Sequence, residues 1–258
     1  CQAQVAKAKR NGAKLIVLPE FFACIDDNHR MLAIQEEIDA GPIQTAIQNI
    51  ARQHKIWIVA GTIPIASTDP CHYTASTLVY DDKGGIKARY DKIHLFDVTL
   101  SDNESYMESD STTPGNQIIS CDTPLGKIGI AVCYDLRFPE LFRCLAAQDV
   151  DIFTVPAAFT HTTGQAHWHT LCRARAIENS CYLIAANQGG HHECGRHTFG
   201  HSLIVDPWGH ITNEHPDGEG VITQEIDRQV IDRIRQNTPF VAHSRILNIN
   251  RHIQINTH

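Results

Sequence analysis

The sequence predicts an α/β protein whose mixed sheets lie in layers. Three observations carry this. Helical and strand-like stretches alternate along the N-terminal part, a glycine turn joins two strand-like runs around Gly84, and short strand-like runs then outnumber long helices. Residues 1 to 11 have helical spacing and are stopped by Asn11 and Gly12. Lys14 to Leu18 is an apolar run short enough for a buried strand. Residues 43 to 54 set Ile43, Ala46, Ile47 and Ile50 on one helical face, and Ile56 to Ala60 follows as another strand. Between Thr77 and Tyr90 two strand-like runs flank Asp82, Lys83, Gly84 and Gly85, a composition suited to an antiparallel hairpin, which makes the sheet mixed. Further strands are expected at Lys127 to Cys133, Asp151 to Val155, Cys181 to Ala186, Ser202 to Val205 and Val221 to Ile226. Helices are expected at 139 to 148, 165 to 178 and 227 to 236. The one long loop runs from 97 to 116, and loops of that length commonly cover a site.

No linker, repeat or low-complexity stretch divides the 258 residues, and 42% hydrophobic content supplies a large core, so residues 1 to 258 are expected to form a single domain. A net charge of -7 leaves no basic face to neutralise phosphates, which argues against a nucleic-acid partner. No apolar run reaches the roughly 20 residues that cross a bilayer, and no signal-like segment opens the chain. Nine cysteines without a repeated short spacing fit reduced thiols, so a cytoplasmic protein is expected. The chain starts at Cys1, inside a helix-like segment, and a preceding native strand is expected to be missing.

Cys133 lies where the apolar run Ile128 to Val132 meets a polar turn, the kind of position that displays a nucleophile. Glu20 ends a second apolar run and Lys92 closes a third strand-like segment, so a thiol, an acid and an amine share one kind of position. Together they can carry acyl transfer. A lone free cysteine is more often a packing residue, and a thiol of pKa about 8.5 needs a base or positive charge beside it. Glu20 and Lys92 meet that need. Glu20 stands between a proline and two aromatics, where desolvation favours a carboxylate able to act as a base. The histidine-rich segment from His191 to His197, continuing to His201, suggests metal ligands but lacks a C-x-x-C or H-E-x-x-H frame, so it is expected to be a solvated or substrate-facing loop with no metal. His94 is expected to be a hydrogen-bonded structural histidine, because nothing around Cys133 resembles a Cys-His protease.

LPEFF at 18 to 22, YDKIHLFD at 90 to 97 and GIAVCYDLRFPELFR at 129 to 143 resemble the three motifs of the nitrilase superfamily of carbon-nitrogen hydrolases. PAAF at 156 to 159, TGQAHWH at 163 to 169, RARAIEN at 173 to 179 and GHSLIVDPWG at 200 to 209 extend the likeness over almost the whole chain. YDLRFPELFR and GHSLIVDPWG point to the branch holding deaminated glutathione amidase and omega-amidase.

The resemblance implies a four-layer α-β-β-α sandwich, homodimers and a catalytic set needing no cofactor. In that set Glu20 is the general base, Lys92 stabilises the transition state and Cys133 is the nucleophile. Glu108 orients Lys92 and the substrate, and the Tyr134 backbone amide donates to the oxyanion. The implied reaction is hydrolysis of a small carboxylate-bearing amide to acid and ammonia through a thioester. Rival readings are an N-carbamoyl amino acid amidohydrolase or nitrilase, and a binding module in which Cys133 is inert. Arg137, four residues beyond the nucleophile, could clamp a substrate carboxylate or instead pair with Asp135 or Glu140, and the resemblance adds Phe159 as a pocket wall. Where relatives read His-Trp-Glu, this chain has His167, Trp168 and His169, so an expected carboxylate is replaced by imidazole. The family fold also begins with a strand beside KLIVL. Residues 238 to 258 look suited to a partner subunit.

Overall fold

Two β-sheets lie between two pairs of helices in a computed structural model of the chain, which describes residues 1 to 101 and 104 to 245. Helix α1 (Gln2–Arg10) leads into strand β1 (Leu15–Val17). The short helix α2 (Asn28–Ala33) and helix α3 (Pro42–His54) precede β2 (Trp57–Ala66), β3 (Tyr73–Tyr80) and β4 (Ile86–Asp91). Strands β1 to β4 form the first sheet in sequence order, with β1 parallel to β2 and the other pairs antiparallel. Side chains alternate across β2. Ile58 and Ala60 pack with Val5, Ile47, Ile50 and Ala51 of the two outer helices, while Val59 between them joins the central core.

The second sheet has the order β14-β13-β10-β9-β8-β7. Its middle strands β8 (Gly126–Ile130), β9 (Ile152–Ala157) and β10 (Tyr182–Asn187) are parallel. The flanking strands β7 (Ser120–Thr123), β13 (Ser202–Val205) and β14 (Ile211–His215) run antiparallel to their neighbours. β9 is buried at all six positions, as suits a parallel strand covered on both faces. One cluster joins Leu15, Val59 and Val79 of the first sheet to Ile128, Ile152 and Leu183 of the second. It continues to Phe142 of α4 (Pro139–Ala146) and Trp168 of α5 (His161–Asn179). These are the four layers that the resemblance implies.

Several elements differ from the sequence-based expectation. The loop expected at 97 to 116 contains a hairpin of β5 (Asp97–Ser101) and β6 (Glu104–Met107), followed by a short 3-10 turn at Glu108–Asp110. The loop at 191 to 201 contains another, β11 (Gly189–His191) paired with β12 (His197–Phe199). Val221 to Ile226 is not a strand. The edge beside β13 is taken by β14, whose Thr-Asn-Glu-His sequence has little apolar patterning to announce it. Helix α5 starts at His161 rather than 165, because Thr160 caps it by accepting from the Thr163 amide. Among the described strands β1 pairs with β2 alone. After α6 (Arg228–Asn237) comes α7 (Phe240–His243), and the expectation of a partner-binding tail at 238 to 258 falls largely outside the described residues.

Candidate active site

The chosen residues follow strand ends. Glu20 comes after β1, Lys92 directly after β4, Cys133 after β8, and Ala158 and Phe159 directly after β9. Lys92 Nζ donates to Glu20 Oε1 at 2.9 Å and to the two Glu108 oxygens at 3.0 and 2.8 Å. The second Glu20 oxygen accepts the Ala158 amide at 2.8 Å, and Glu108 Oε2 accepts the Phe96 amide at 2.7 Å. Gln188 Nε2 donates to the Glu20 carbonyl at 3.0 Å. Lys92 and Glu20 are 2% and 1% exposed, so these bonds form where water competes little.

Burial shapes the protonation of the group. Desolvation works against the Lys92 ammonium, but Glu108 and Glu20 outweigh it and hold the Lys92 pKa well above its ordinary value. Burial also lifts Glu108, against the pull of Lys92. Desolvation and the Glu20 charge push the Cys133 thiol well above its usual pKa despite the nearby ammonium. The resting thiol is therefore protonated at neutral pH, and it needs a base in contact to become a nucleophile.

Cys133 has φ 46°, in the left-handed region that costs an L residue about 1–2 kcal/mol. Asp135 anchors this bend. Wholly buried, its carboxylate accepts from the Val132 amide at 2.7 Å, the Tyr90 hydroxyl at 2.7 Å, and the His94 amide and Nδ1 at 3.2 and 2.7 Å. The His94 ring stacks on Phe138 at 3.7 Å between centroids, which gives it the structural place expected of it. Asp135 as an anchor is missed by sequence reasoning. The available signal is one acid between the apolar run ending at Val132 and Leu136.

A cleft is lined by Glu20, Lys92, Glu108 and Cys133, with Phe21, Phe96, Tyr134 and Phe159 as aromatic walls. Tyr134 and Phe159 both line this cleft. Arg137 is not part of the lining. Its guanidinium sits over the Phe159 ring at 5.2 Å and the Tyr134 ring at 5.8 Å, and Nη1 is 3.2 Å from His167 Nδ1. Asp135 and Glu140 form no ion pair with it among the described residues. Arg196, just before β12, lines the cleft instead, a residue hidden in the sequence among histidines.

His169, the imidazole in place of a carboxylate, bonds Glu214 at 2.9 Å, and His201 contacts the same oxygen. Among the described residues these three form the only cluster with metal-ligand geometry, and of the histidine-rich segment only His201 takes part.

A buried thiol that shares a cleft with a carboxylate and an ammonium suits an enzyme whose sulfur attacks an electrophilic carbon. The carbon-nitrogen hydrolase family model matches residues 1–236, and the chain belongs to that family. Deaminated glutathione amidase of Yersinia enterocolitica is 42% identical over 246 residues, covering 95% of this chain and 86% of the relative. The protein of the same name from Dictyostelium discoideum is 38% identical over 256 residues, covering 96% and 88%. The crystal structure of the Caenorhabditis elegans NitFhit protein matches with a TM-score of 0.84 at 33% identity, over 95% of this chain and 60% of that longer one. The protein is thus a hydrolase acting on carbon-nitrogen bonds. Among the described residues no helix is long and apolar enough to cross a membrane.

Proposed function

We propose that the protein is a thiol amidase of the deaminated glutathione amidase branch, cleaving a small carboxylate-bearing amide through a thioester. The observation that carries this is Lys92, fixed by Glu20 and Glu108 beside a Cys133 thiol that burial keeps protonated. Glu20 takes the thiol proton as sulfur attacks the amide carbon. The Lys92 ammonium and the Tyr134 backbone amide hold the oxyanion, and Glu108 keeps Lys92 in place. Glu20 then gives the proton to the departing nitrogen, leaving an acyl-Cys133 thioester. A water deprotonated by Glu20 cleaves the thioester, which frees the carboxylic acid and restores the thiol. The leaving nitrogen is ammonia for a primary amide. For deaminated glutathione it is the amine of a dipeptide, because the scissile nitrogen belongs to the cysteine residue, so an assay reading ammonia alone misses that substrate.

Phe159 walls the pocket in this reading, and Arg137, stacked on its ring, adds positive potential behind it. Nine free cysteines support a cytoplasmic setting. A core cluster that draws on residues from Leu15 to Ile231 supports the reading of one domain. A homodimer is supported by Trp208, 56% exposed, and the adjacent Ile177, 38% exposed.

The test offers purified protein deaminated glutathione, 2-oxoglutaramate, an N-carbamoyl amino acid and a simple nitrile, and follows acid together with amine or ammonia. Deaminated glutathione is expected to be preferred, with turnover falling at least about 10³-fold in Cys133→Ala. Preference for the carbamoyl compound or the nitrile would move the protein to the rival branch. Silence on all four from folded protein would favour a binding module.

A further inference from the structure

We propose that Arg196 binds the carboxylate of the substrate. This rests on the amidase reading above and names the residue that makes the pocket select an anionic amide. Among the described residues only two cationic side chains line the cleft. Lys92 is committed to Glu20 and Glu108. Without Arg196 the lining would carry net negative charge and repel an anionic substrate.

Arg196 is half-buried and uncommitted. Its guanidinium lies 5.5 Å from the Phe21 ring centroid and 5.3 Å from that of Tyr106. Aromatic faces orient the guanidinium plane yet leave its in-plane N–H donors free for a carboxylate. Among the described residues no ion pair or hydrogen bond is drawn from that guanidinium. Phe21 follows Glu20 and Tyr106 lies two residues before Glu108, so the two aromatics that cradle Arg196 share chain segments with the two carboxylates at Lys92.

The support is also rigid. The Phe199 amide donates to the Phe159 carbonyl at 2.9 Å, which ties the β11–β12 hairpin to the cleft wall, and the Gly200 amide donates to the Gln188 carbonyl at 2.9 Å across the base of the hairpin. The His192 amide donates to the Arg196 carbonyl at 2.9 Å. A guanidinium held this way binds a carboxylate with little ordering cost, and a bidentate pair adds directionality.

The experiment compares wild type, Arg196→Ala and Arg196→Lys on deaminated glutathione and on its neutral dimethyl ester. With the diacid, Arg196→Ala is expected to raise KM about 10- to 100-fold, as loss of a charge-assisted hydrogen bond does. Turnover of the ester should stay near wild type, and Arg196→Lys should recover part of the loss. Equal losses on diacid and ester, or no loss on the diacid, would overturn the assignment. Arg196→Gln keeps the stem against both rings and replaces the alanine variant if that fails to fold. A second readout is independent of turnover: 2-oxoglutarate is titrated calorimetrically into Cys133→Ala with and without Arg196→Ala. If wild type hydrolyses none of the amides yet the dicarboxylate binds and weakens tenfold or more without Arg196, the amidase reading fails and the carboxylate site stands. Binding unaffected by Arg196→Ala sinks the site itself.

Discussion

At Cys133 the backbone enters a left-handed conformation, and Asp135 two residues later is what keeps it there. Its carboxylate gathers donors from Val132 and from Tyr90 and His94, two separate stretches of chain, and Val132 and Tyr90 are wholly buried. Truncation removes the acceptor and leaves those donors unpaired, two of them on wholly buried residues. Asp135→Ala is therefore expected to lose about 3 kcal/mol or more of stability, read as a lower urea midpoint, and most of the turnover. A midpoint shift below about 0.5 kcal/mol would show that the bend is held by packing instead. The same residue marks a limit of sequence reasoning. Glu20 and Cys133 stand out in the sequence because each ends an apolar run, Lys92 because it closes a strand-like segment, and Glu108 only through family likeness. Asp135 reads as an ordinary turn acid. Arg196 is masked because the histidines around it invite a question about metals.

The β11–β12 hairpin, which carries Arg196 at its end, is where pH should act on this fold. Desolvation lowers the pKa of His192, with Arg196, His197 and His191 adding to the effect. Desolvation also lowers His197, helped by His191 and by His161 of α5 and opposed by Asp217 and Glu104. The rings of His191, His197 and His161 stack at 3.8 and 4.1 Å. A histidine whose folded pKa is depressed contributes stability that is complete above its unfolded value of about 6.5 and is lost as pH falls through the folded value. Amide exchange across residues 189 to 199, corrected for intrinsic rates, is thus expected to speed up between pH 7 and pH 5 more than exchange in β9. Equal protection at both pH values would show that the stack tolerates charge. Elements differ in how well the sequence announces them. Helix α3 is plain from Ile43, Ile47 and Ile50, whereas β14 carries mostly polar residues and is recognised only by its pairing. Val221 to Ile226 opens on three β-branched residues, which favour a strand, yet its Thr223 carbonyl accepts from the Asn213 side chain rather than from a backbone ladder.

At the scale of the whole molecule, the sandwich buries its sheets, and among the described residues Trp208 is the most exposed of the large apolar side chains. Trp208 sits in the turn from Asp206 to Gly209, where Asp206 Oδ1 accepts the Trp208 and His210 amides, each at 2.9 Å. Arg173 of α5 donates to the Gly209 carbonyl at 2.7 Å, which fastens this turn to the helix bearing Ile177. A large aromatic held rigidly in water, with an isoleucine against the same turn, costs little ordering when a partner covers it, and such residues dominate interface energies. An outer helix layer could in this way become an inner layer of a longer sandwich formed by two chains. Trp208→Glu would bury a carboxylate in such an interface, so the variant is expected to sediment at the mass of one chain where wild type sediments at the mass of two. The active site lies in the cleft, away from this turn, so turnover measured well above the dissociation constant should change less than the mass does. A wild type that is monomeric at micromolar concentration would remove the dimer. A variant that stays dimeric would move the interface to another face.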